Sequence, residues 1–146
     1  MPEKIPFAEE QGEFYKKNRE QILNDHREVA EKERDYESVL KDIDEILKTA
    51  KDQKAAEKII EEKYKPIAQK ALRERRNAEN EFETKYRRAP DVERLAFMEE
   101  EMKSMEGKSK EVLDKENRDR RVWEERIEEI EDKFDIWGLS EKKEGE

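Results

Sequence analysis

The stretch that decides the fold is Lys48-Thr49-Ala50-Lys51-Asp52-Gln53-Lys54, which lies between two long segments with helical patterns of apolar residues. It contains no Gly or Pro, which favours one continuous helix through it. Asp52, however, is a good N-cap residue, and a cap at this position would begin a second helix. The two interpretations lead to different folds, a long hairpin or a three-helix bundle.

N-terminal to this stretch, apolar residues recur every seven positions, which is typical of a helix that buries a narrow seam. This ladder consists of Tyr15, Ile22, Val29, Tyr36, Ile43 and Ala50. Before Tyr36 the companion seam positions are polar, namely Asn18, Asp25 and Lys32. In a long hairpin this part of the helix would protrude and need another chain for stability. In a bundle it packs on the third helix instead.

C-terminal to the same stretch, Ala89-Pro90-Asp91 is the strongest turn signal of the chain. A proline pushes the preceding residue out of the α region and is itself well suited to the start of a helix. We therefore predict a helix over 91–137, with Gly107 tolerated inside it and Gly138 as its C-cap. The spacing of Met98, Met102 and Met105 favours a core seam on this helix.

The predicted fold is all-α, a long antiparallel helical hairpin or coiled coil with its turn at Ala89-Pro90. The alternative is an elongated three-helix bundle with an extra turn near 49–53. We predict an N-terminal arm over 1–7, a single elongated helical domain over 8–137 and a charged flexible tail over 138–146.

The composition limits the class of protein. Charged residues make up 51% of the 146 residues and hydrophobic ones 32%, so elongated helices with narrow seams fit better than a globular core. The absence of cysteine excludes disulfides and thiolate metal sites. No apolar run approaches the roughly 18 residues of a membrane span, and no signal-peptide core is visible. We expect a soluble cytoplasmic protein without membrane insertion, an organellar matrix being the open alternative.

The charge distribution bears on the partner. The net charge of −9 argues against nucleic acid, because phosphate binding requires basic surfaces. Residues 64–90 are basic and lie between two acidic flanks, so we expect them to pack along an acidic helix. We assign Arg87 and Arg88, at the predicted turn, first to interhelical ion pairs and second to an acidic partner surface.

Candidate chemistry is sparse. His26 is the only histidine and has no identifiable catalytic partners, so we interpret it as a surface residue. The acidic clusters have no calcium-loop spacing and are typical of solvated helix faces. No nucleophile–base pair or phosphate loop is recognisable. We therefore expect no enzymatic activity, no cofactor, no metal site and no small-molecule substrate.

The most consistent hypothesis is a structural or interaction protein, a coiled-coil subunit or adaptor that braces a larger protein assembly. The alternative is an acidic assembly scaffold or chaperone-like holdase that binds partners transiently. The expected partner is protein, either further copies of the chain or components of a complex. The residues expected to bind it lie on the thin seam, at the turn, and at the end of the last helix, where successive apolar residues cannot share one face. They are Tyr15, Ile22, Val29, Tyr36, Arg87, Arg88, Ile136 and Trp137.

Overall fold

The computed structural model describes the backbone of residues 8–139 and the side chains of residues 10–139. The described chain is helical, which confirms the all-α prediction. Its elements are α1 (Ala8–Thr49), α2 (Gln53–Ile59), a π-helical turn (Ile60–Tyr64), α3 (Lys65–Lys85), α4 (Asp91–Met105) and α5 (Lys110–Lys133). The long helix α1 packs against α3 and α4 and, over a shorter contact, against α5. The predicted arm lies outside the described residues, as does the tail beyond residue 139.

The chain leaves the helix at residues 50–52, and Asp52 begins the next one as its N-cap. The Asp52 carboxylate accepts hydrogen bonds from the backbone amides of Lys54 (3.1 Å) and Ala55 (3.2 Å). The Gln53 side chain donates to the carbonyl of Leu47 (2.8 Å), which satisfies the end of α1. Side-chain capping thus makes a turn without Gly or Pro. The continuous helix through 48–54 is corrected accordingly, and the fold is the elongated three-helix bundle with the extra turn.

The helical segment from residue 53 to residue 85 is continuous despite Pro66. A proline has no amide for the carbonyl four residues earlier, and its ring crowds that carbonyl. The π-helical turn lies directly before Pro66, and the Lys65 amide bonds to the Ile60 carbonyl across five residues. The wider turn accommodates the proline without ending the helix.

The turn before α4 follows the sequence prediction. The amide of Ala89 donates to the carbonyl of Tyr86 (3.0 Å), and the amide of Val92 donates to the carbonyl of Ala89 (3.1 Å). Pro90 is the N-cap residue of α4. The turn at Ala89-Pro90 is therefore confirmed.

Two apolar clusters form the core, one near each turn of the bundle. The cluster near the second turn consists of Tyr15, Ile22, Leu23, Phe82, Tyr86, Ala89, Val92 and Ala96. The cluster near the first turn consists of Tyr36, Leu40, Ile43, Leu47, Ile60, Ala68, Leu72, Ile130, Phe134 and Ile136. Of the α1 ladder, Tyr15 and Ile22 lie in the cluster near the second turn, and Tyr36 and Ile43 lie in the cluster near the first turn. The seven-residue spacing therefore marks a core seam.

Ion pairs bridge α1 and α3, most of them between the two clusters. Lys32 lies 3.8 Å from Glu74, and Arg75 lies 4.0 Å from Glu33. Lys85 lies 2.7 Å from Asp25. In two of these three pairs the basic residue lies on α3 and the acidic residue on α1, as expected from the charge distribution, whereas the Lys32–Glu74 pair has the opposite polarity.

The predicted helix over 91–137 is interrupted after Met105. Gly107 has a φ of +74°, in the left-handed region that favours glycine. Ser109 then caps α5, its hydroxyl accepting a hydrogen bond from the Val112 amide (3.2 Å). α5 ends at Lys133, before Gly138, because the chain turns there and Asp135 adopts a φ of 49°. Both predicted features of this helix, its continuity and its C-cap, are thereby corrected.

α5 joins the bundle through its C-terminal half. Arg120 and the indole N–H of Trp123 both reach the carboxylate of Glu37, at 2.7 Å and 2.9 Å. Ile130 and the following Phe134 enter the cluster near the first turn. The N-terminal half of α5 projects from the bundle, since residues 110–122 are all exposed apart from Leu113.

Candidate functional site

Helix α4 is apolar on both of its sides. On the inner side Val92 and Ala96 are fully buried against the bundle. On the outer side four large apolar side chains are 56%, 48%, 68% and 45% exposed; they are Phe97, Met98, Met102 and Met105. We call these four residues the methionine face. Several large apolar side chains left exposed together on one side of a helix have the character of an interface.

The methionine face is open because no other described element folds back over it. Two carboxylates attach α4 to α1. Glu99 accepts hydrogen bonds from Arg19 and Tyr15, and Glu100 accepts one from Arg27. Beyond them, residues 101–122 are exposed apart from Leu113. The break at residues 106–109 directs α5 away from α4, and the two helices share almost no contact.

The side chains of the outer surface form two neighbouring rows. Met98, Met102 and Met105 follow the i, i+4, i+7 spacing of a single helix face. Phe97 lies in the next row, four residues from Glu93 on one side and four from Glu101 on the other. An apolar row is therefore bordered by a row that carries carboxylates at both ends.

A groove of about 430 Å³ lies beside Phe97, between α1, α3 and α4. Phe82, Phe97 and Val29 contribute apolar walls. The charged residues that line the groove are four carboxylates and one guanidinium, namely Glu33, Glu79, Glu83, Glu93 and Arg94, of which Arg94 is paired with Asp91 outside the groove. Glu79 is paired with Arg75 at 3.0 Å. Within residues 10–139, Glu83 and Glu93 have no ion-pair partner. The groove therefore carries an excess of negative charge; we call it the acidic groove.

The titration of Glu33 reflects this environment. Burial is the largest influence and raises the pKa of Glu33 above its ordinary value. Arg75 opposes the rise, whereas the neighbouring carboxylates Glu79 and Glu37 add to it. A cation placed in the groove would oppose the part of this rise in the pKa of Glu33 that comes from the neighbouring carboxylates.

His26 belongs to the wall of the acidic groove rather than to the open surface. The residue is half-buried, and its ring meets Phe82 edge-on, with centroids 5.9 Å apart. Its Nδ1 atom is buried and has no hydrogen-bond partner among the described residues. The interpretation of His26 as a surface residue is corrected. Within the described side chains no three His, Asp or Glu residues converge on a position for a metal ion.

Half of the side chains predicted to bind a partner are buried within the chain itself. Tyr15 and Ile22 belong to the cluster near the second turn, and Tyr36 and Ile136 to the other. Val29 is half-buried beside the cluster near the second turn. The prediction assumed a protruding N-terminal helix, and the turn at residues 50–52 removes that premise because it brings α3 alongside α1.

The remaining predicted residues are exposed. Arg87 and Arg88 lie at the turn before α4. Trp137 is 45% exposed, and the guanidinium of Arg76 lies 5.6 Å from its ring centroid. Ile136 and Trp137 thus face different surroundings, as their successive positions required. A partner role for Arg87, Arg88 and Trp137 stays a prediction.

The prediction that Met98, Met102 and Met105 form a core seam is wrong, and with Phe97 they are the residues that sequence reasoning missed. The signal that marks the break is Glu106-Gly107-Lys108-Ser109, a glycine followed two residues later by a good N-cap. Read as a helix end and a helix start, it separates these methionines from the part of α5 that packs on the bundle.

In the part of the chain that the structure describes, no helix combines the length and the apolar character needed to cross a membrane. Comparison of the chain with protein-family models, with curated proteins and with solved structures gives no match. The features that bear on function are therefore the methionine face and its surroundings.

Proposed function

We propose that this chain is a non-enzymatic interaction protein, a helical subunit or adaptor that binds another protein of a larger assembly through the methionine face. The observation that supports this function is the apolar outer side of α4, which the bundle itself leaves uncovered. The inner residues of α4 anchor the helix in the core. Phe97 and Met98, which lie next to these buried residues, are thus held in place, and the whole face is available for helix-on-helix contact.

The size of the surface suits a protein partner. Full burial of one large apolar side chain contributes about 1.5–3 kcal/mol relative to full exposure. The four side chains of the methionine face are each about half exposed, so covering them contributes on the order of 3–6 kcal/mol before the costs of association. This is enough for a moderate interaction and calls for further contacts around the rim.

A second candidate function is transient binding of unfolded or assembling chains, as in a scaffold or holdase. The observation that favours it is the share of methionine in the face, because unbranched thioether side chains adapt to differently shaped partners. The charged surface around the face would keep such complexes soluble.

Site-specific photo-cross-linking tests the proposed function. A photoreactive amino acid replaces Met102 in the full chain, and a matched chain carries it in place of Glu62, an exposed residue on the π-helical turn. We expect position 102, and not position 62, to cross-link to a discrete protein in cells that express the chain. Purification of that protein and titration against the full chain then measure the interaction directly.

The double variant Met98→Gln, Met102→Gln is the decisive control. Because both side chains are largely exposed, its helicity and melting temperature should match the unmodified chain. Binding of the purified partner should weaken by about tenfold or more, since tenfold corresponds to about 1.4 kcal/mol. Equal binding by the double variant, or equal cross-linking from positions 62 and 102, would contradict the proposal.

The same variant distinguishes the two candidate functions. A holdase suppresses aggregation of many unrelated unfolded chains, for instance reduced insulin, and loses this activity in the double variant. A dedicated adaptor leaves that aggregation unchanged while it binds its own partner.

A further inference from the structure

We propose that the partner segment seated on the methionine face is a basic amphipathic helix of another protein. This inference rests on the proposed function and adds the chemistry of the partner. Its apolar stripe would cover Met98, Met102 and Met105, while lysine or arginine side chains on one flank would meet Glu93 and Glu101.

Unpaired negative charge remains beside the methionine face. α4 carries five acidic and two basic residues, a net charge of −3. Glu99 and Glu100 are engaged with α1, and Arg94 lies 3.7 Å from Asp91. Glu93 and Glu101, which flank Phe97, have no ion-pair partner within residues 10–139. A partner that covers Phe97 without supplying cations would desolvate these carboxylates at a cost.

The acidic groove continues the same flank of the methionine face. Glu83 on α3 lines the groove opposite Glu93 on α4, and neither carboxylate has an ion-pair partner among the described residues. Phe82 and Phe97 supply aromatic faces and edges in the same groove. A long cationic side chain fits such a site, because its methylene stem packs on aromatic rings while its charge meets the carboxylates.

The alternative occupant of the methionine face is a second copy of this chain. Two methionine faces placed together would bring the acidic flank of one copy near that of the other, in a chain whose net charge is already −9. Like charges at a desolvated contact disfavour association. Charge complementarity therefore selects a basic partner over self-association.

The dimensions of the face select a helix. Met98 to Met105 spans seven residues, or about 10 Å of helix at 1.5 Å per residue. An apolar stripe of two helical turns matches that length, with anchors spaced i, i+3 or i+4, and i+7. The flanking row Glu93–Phe97–Glu101 has the same pitch, so basic residues one row away on the partner would meet both carboxylates.

Binding of designed peptides to the full chain tests the partner chemistry. The probe is a fluorescein-labelled 18-residue peptide of leucine and lysine, with leucine on one helix face and lysine elsewhere. One control peptide replaces every lysine by glutamate, and a second keeps the composition but scrambles the order so that no apolar face exists. We expect the amphipathic lysine peptide to bind, and both controls to bind at least about tenfold more weakly.

Matched variants of the chain locate the binding. Met98→Gln with Met102→Gln should weaken binding of the lysine peptide about tenfold, and Glu93→Gln with Glu101→Gln about threefold to tenfold. The control is Glu62→Gln with Glu128→Gln, which makes the same charge change at two exposed sites elsewhere on the helices. This control should change the dissociation constant by less than about twofold, because rim charges far from a contact contribute little.

The outcomes separate this inference from the proposed function. Equal weakening by the control pair and by Glu93→Gln with Glu101→Gln, or equal binding of the scrambled peptide, would show unspecific charge attraction and overturn the inference. Preference for the glutamate peptide, with binding still lost in the methionine variant, would overturn the basic partner but leave the face as a docking site. A dimer that dissociates in the methionine variant would replace the partner by a second copy. If the methionine face binds no partner at all, position 102 will cross-link no more than position 62.

Discussion

Arg126 fastens α5 to α1 through a buried carboxylate, with its Nε atom 2.5 Å from Oδ1 of Asp44, a residue that is only 7% exposed. Lys48 lies 3.0 Å from the other oxygen of the same carboxylate. Burial by itself raises the pKa of Asp44, but the hydrogen bonds from Arg126 and Lys48 outweigh it and hold that pKa below its ordinary value. The ion pair therefore stabilises the docked position of α5 whenever Asp44 is ionised.

Replacement of Arg126 by methionine should destabilise the fold by about 1–3 kcal/mol at neutral pH, because it leaves a buried carboxylate with Lys48 alone. A lowered pKa contributes stability above the ordinary aspartate pKa of about 3.9, and that contribution disappears as the pH falls through the folded-state value. The loss of unfolding free energy caused by Arg126→Met should therefore be smaller at pH 3 than at pH 7. Urea unfolding at both pH values measures it.

Arg121→Met is the matched control for Arg126→Met, since Arg121 is exposed on the same helix. It should change the free energy of unfolding by less than about 0.5 kcal/mol. A deficit of Arg126→Met that stays constant down to pH 3 would refute the role assigned to the Asp44 charge.

The N-cap at Asp52 should be a measurable source of stability. Asp52→Ala removes the acceptor for the amides of Lys54 and Ala55 and should cost about 0.5–2 kcal/mol. Asp52→Asn keeps an acceptor and should restore most of that loss. Asp42→Ala, on the exposed side within α1, serves as the control and should be neutral to slightly stabilising, because alanine has the higher helix propensity. Thermal unfolding of the three variants would contradict the assignment if Ala and Asn behaved alike at position 52.

Alanine substitution at two glycines should give effects of opposite sign. Gly107 has a φ of +74°, so Gly107→Ala forces a strained left-handed residue and should destabilise by roughly 1 kcal/mol. Gly12 lies within α1, and a Cβ there meets nothing within 4 Å, so Gly12→Ala should stabilise by about 0.5–1 kcal/mol. Urea unfolding of both variants provides the comparison. Effects of the same sign would mean that the break after α4 is not formed as described.

Three tyrosines should resist ionisation while the bundle is folded. Tyr15, Tyr36 and Tyr86 donate hydrogen bonds to Glu99, Glu131 and Asp25 respectively. Burial raises each tyrosine pKa most, and the hydrogen bond and the negative charge of each carboxylate raise it further.

A raised pKa contributes stability in full below the ordinary tyrosine pKa of about 10, and this contribution is lost as the pH rises toward the folded-state value. Titration that follows tyrosinate absorbance and far-ultraviolet circular dichroism together should show these tyrosines ionising as helix is lost. Ionisation of all the tyrosines near pH 10 with the helices intact would contradict the assignment. Tyr36→Phe identifies the share of the absorbance change that belongs to Tyr36.

The helical class and the seam of α1 were predictable because they depend on local periodicity. Ile22, Tyr36 and Ile43 repeat every seven positions and are all fully buried. The turn at residues 50–52 was undecided from sequence, because the capping energy of Asp52 is close to the energy of simply continuing the helix. Only the packing of α3 on α1 resolves that balance.

The methionine face was not predictable, and the reason is physical. An apolar stripe has the same periodicity whether its own chain covers it or another molecule does. Met102 and Ile130 lie a whole number of seven-residue repeats apart in the sequence, yet Met102 is 68% exposed and Ile130 is fully buried. The difference arises at Gly107, where a single left-handed residue separates the two helices.

The exposed segment from residue 101 to residue 122 should be less stable than the rest of the helical bundle. Because this segment buries so little apolar surface, we expect it to open and reclose at a lower cost in free energy than global unfolding. A ligand on the methionine face that binds only the closed segment would stabilise that segment by an amount that grows with the logarithm of one plus the ratio of the free ligand concentration to Kd. The exchange rate of the amide hydrogens in this segment is thus a direct measure of occupancy, even before the partner has been identified.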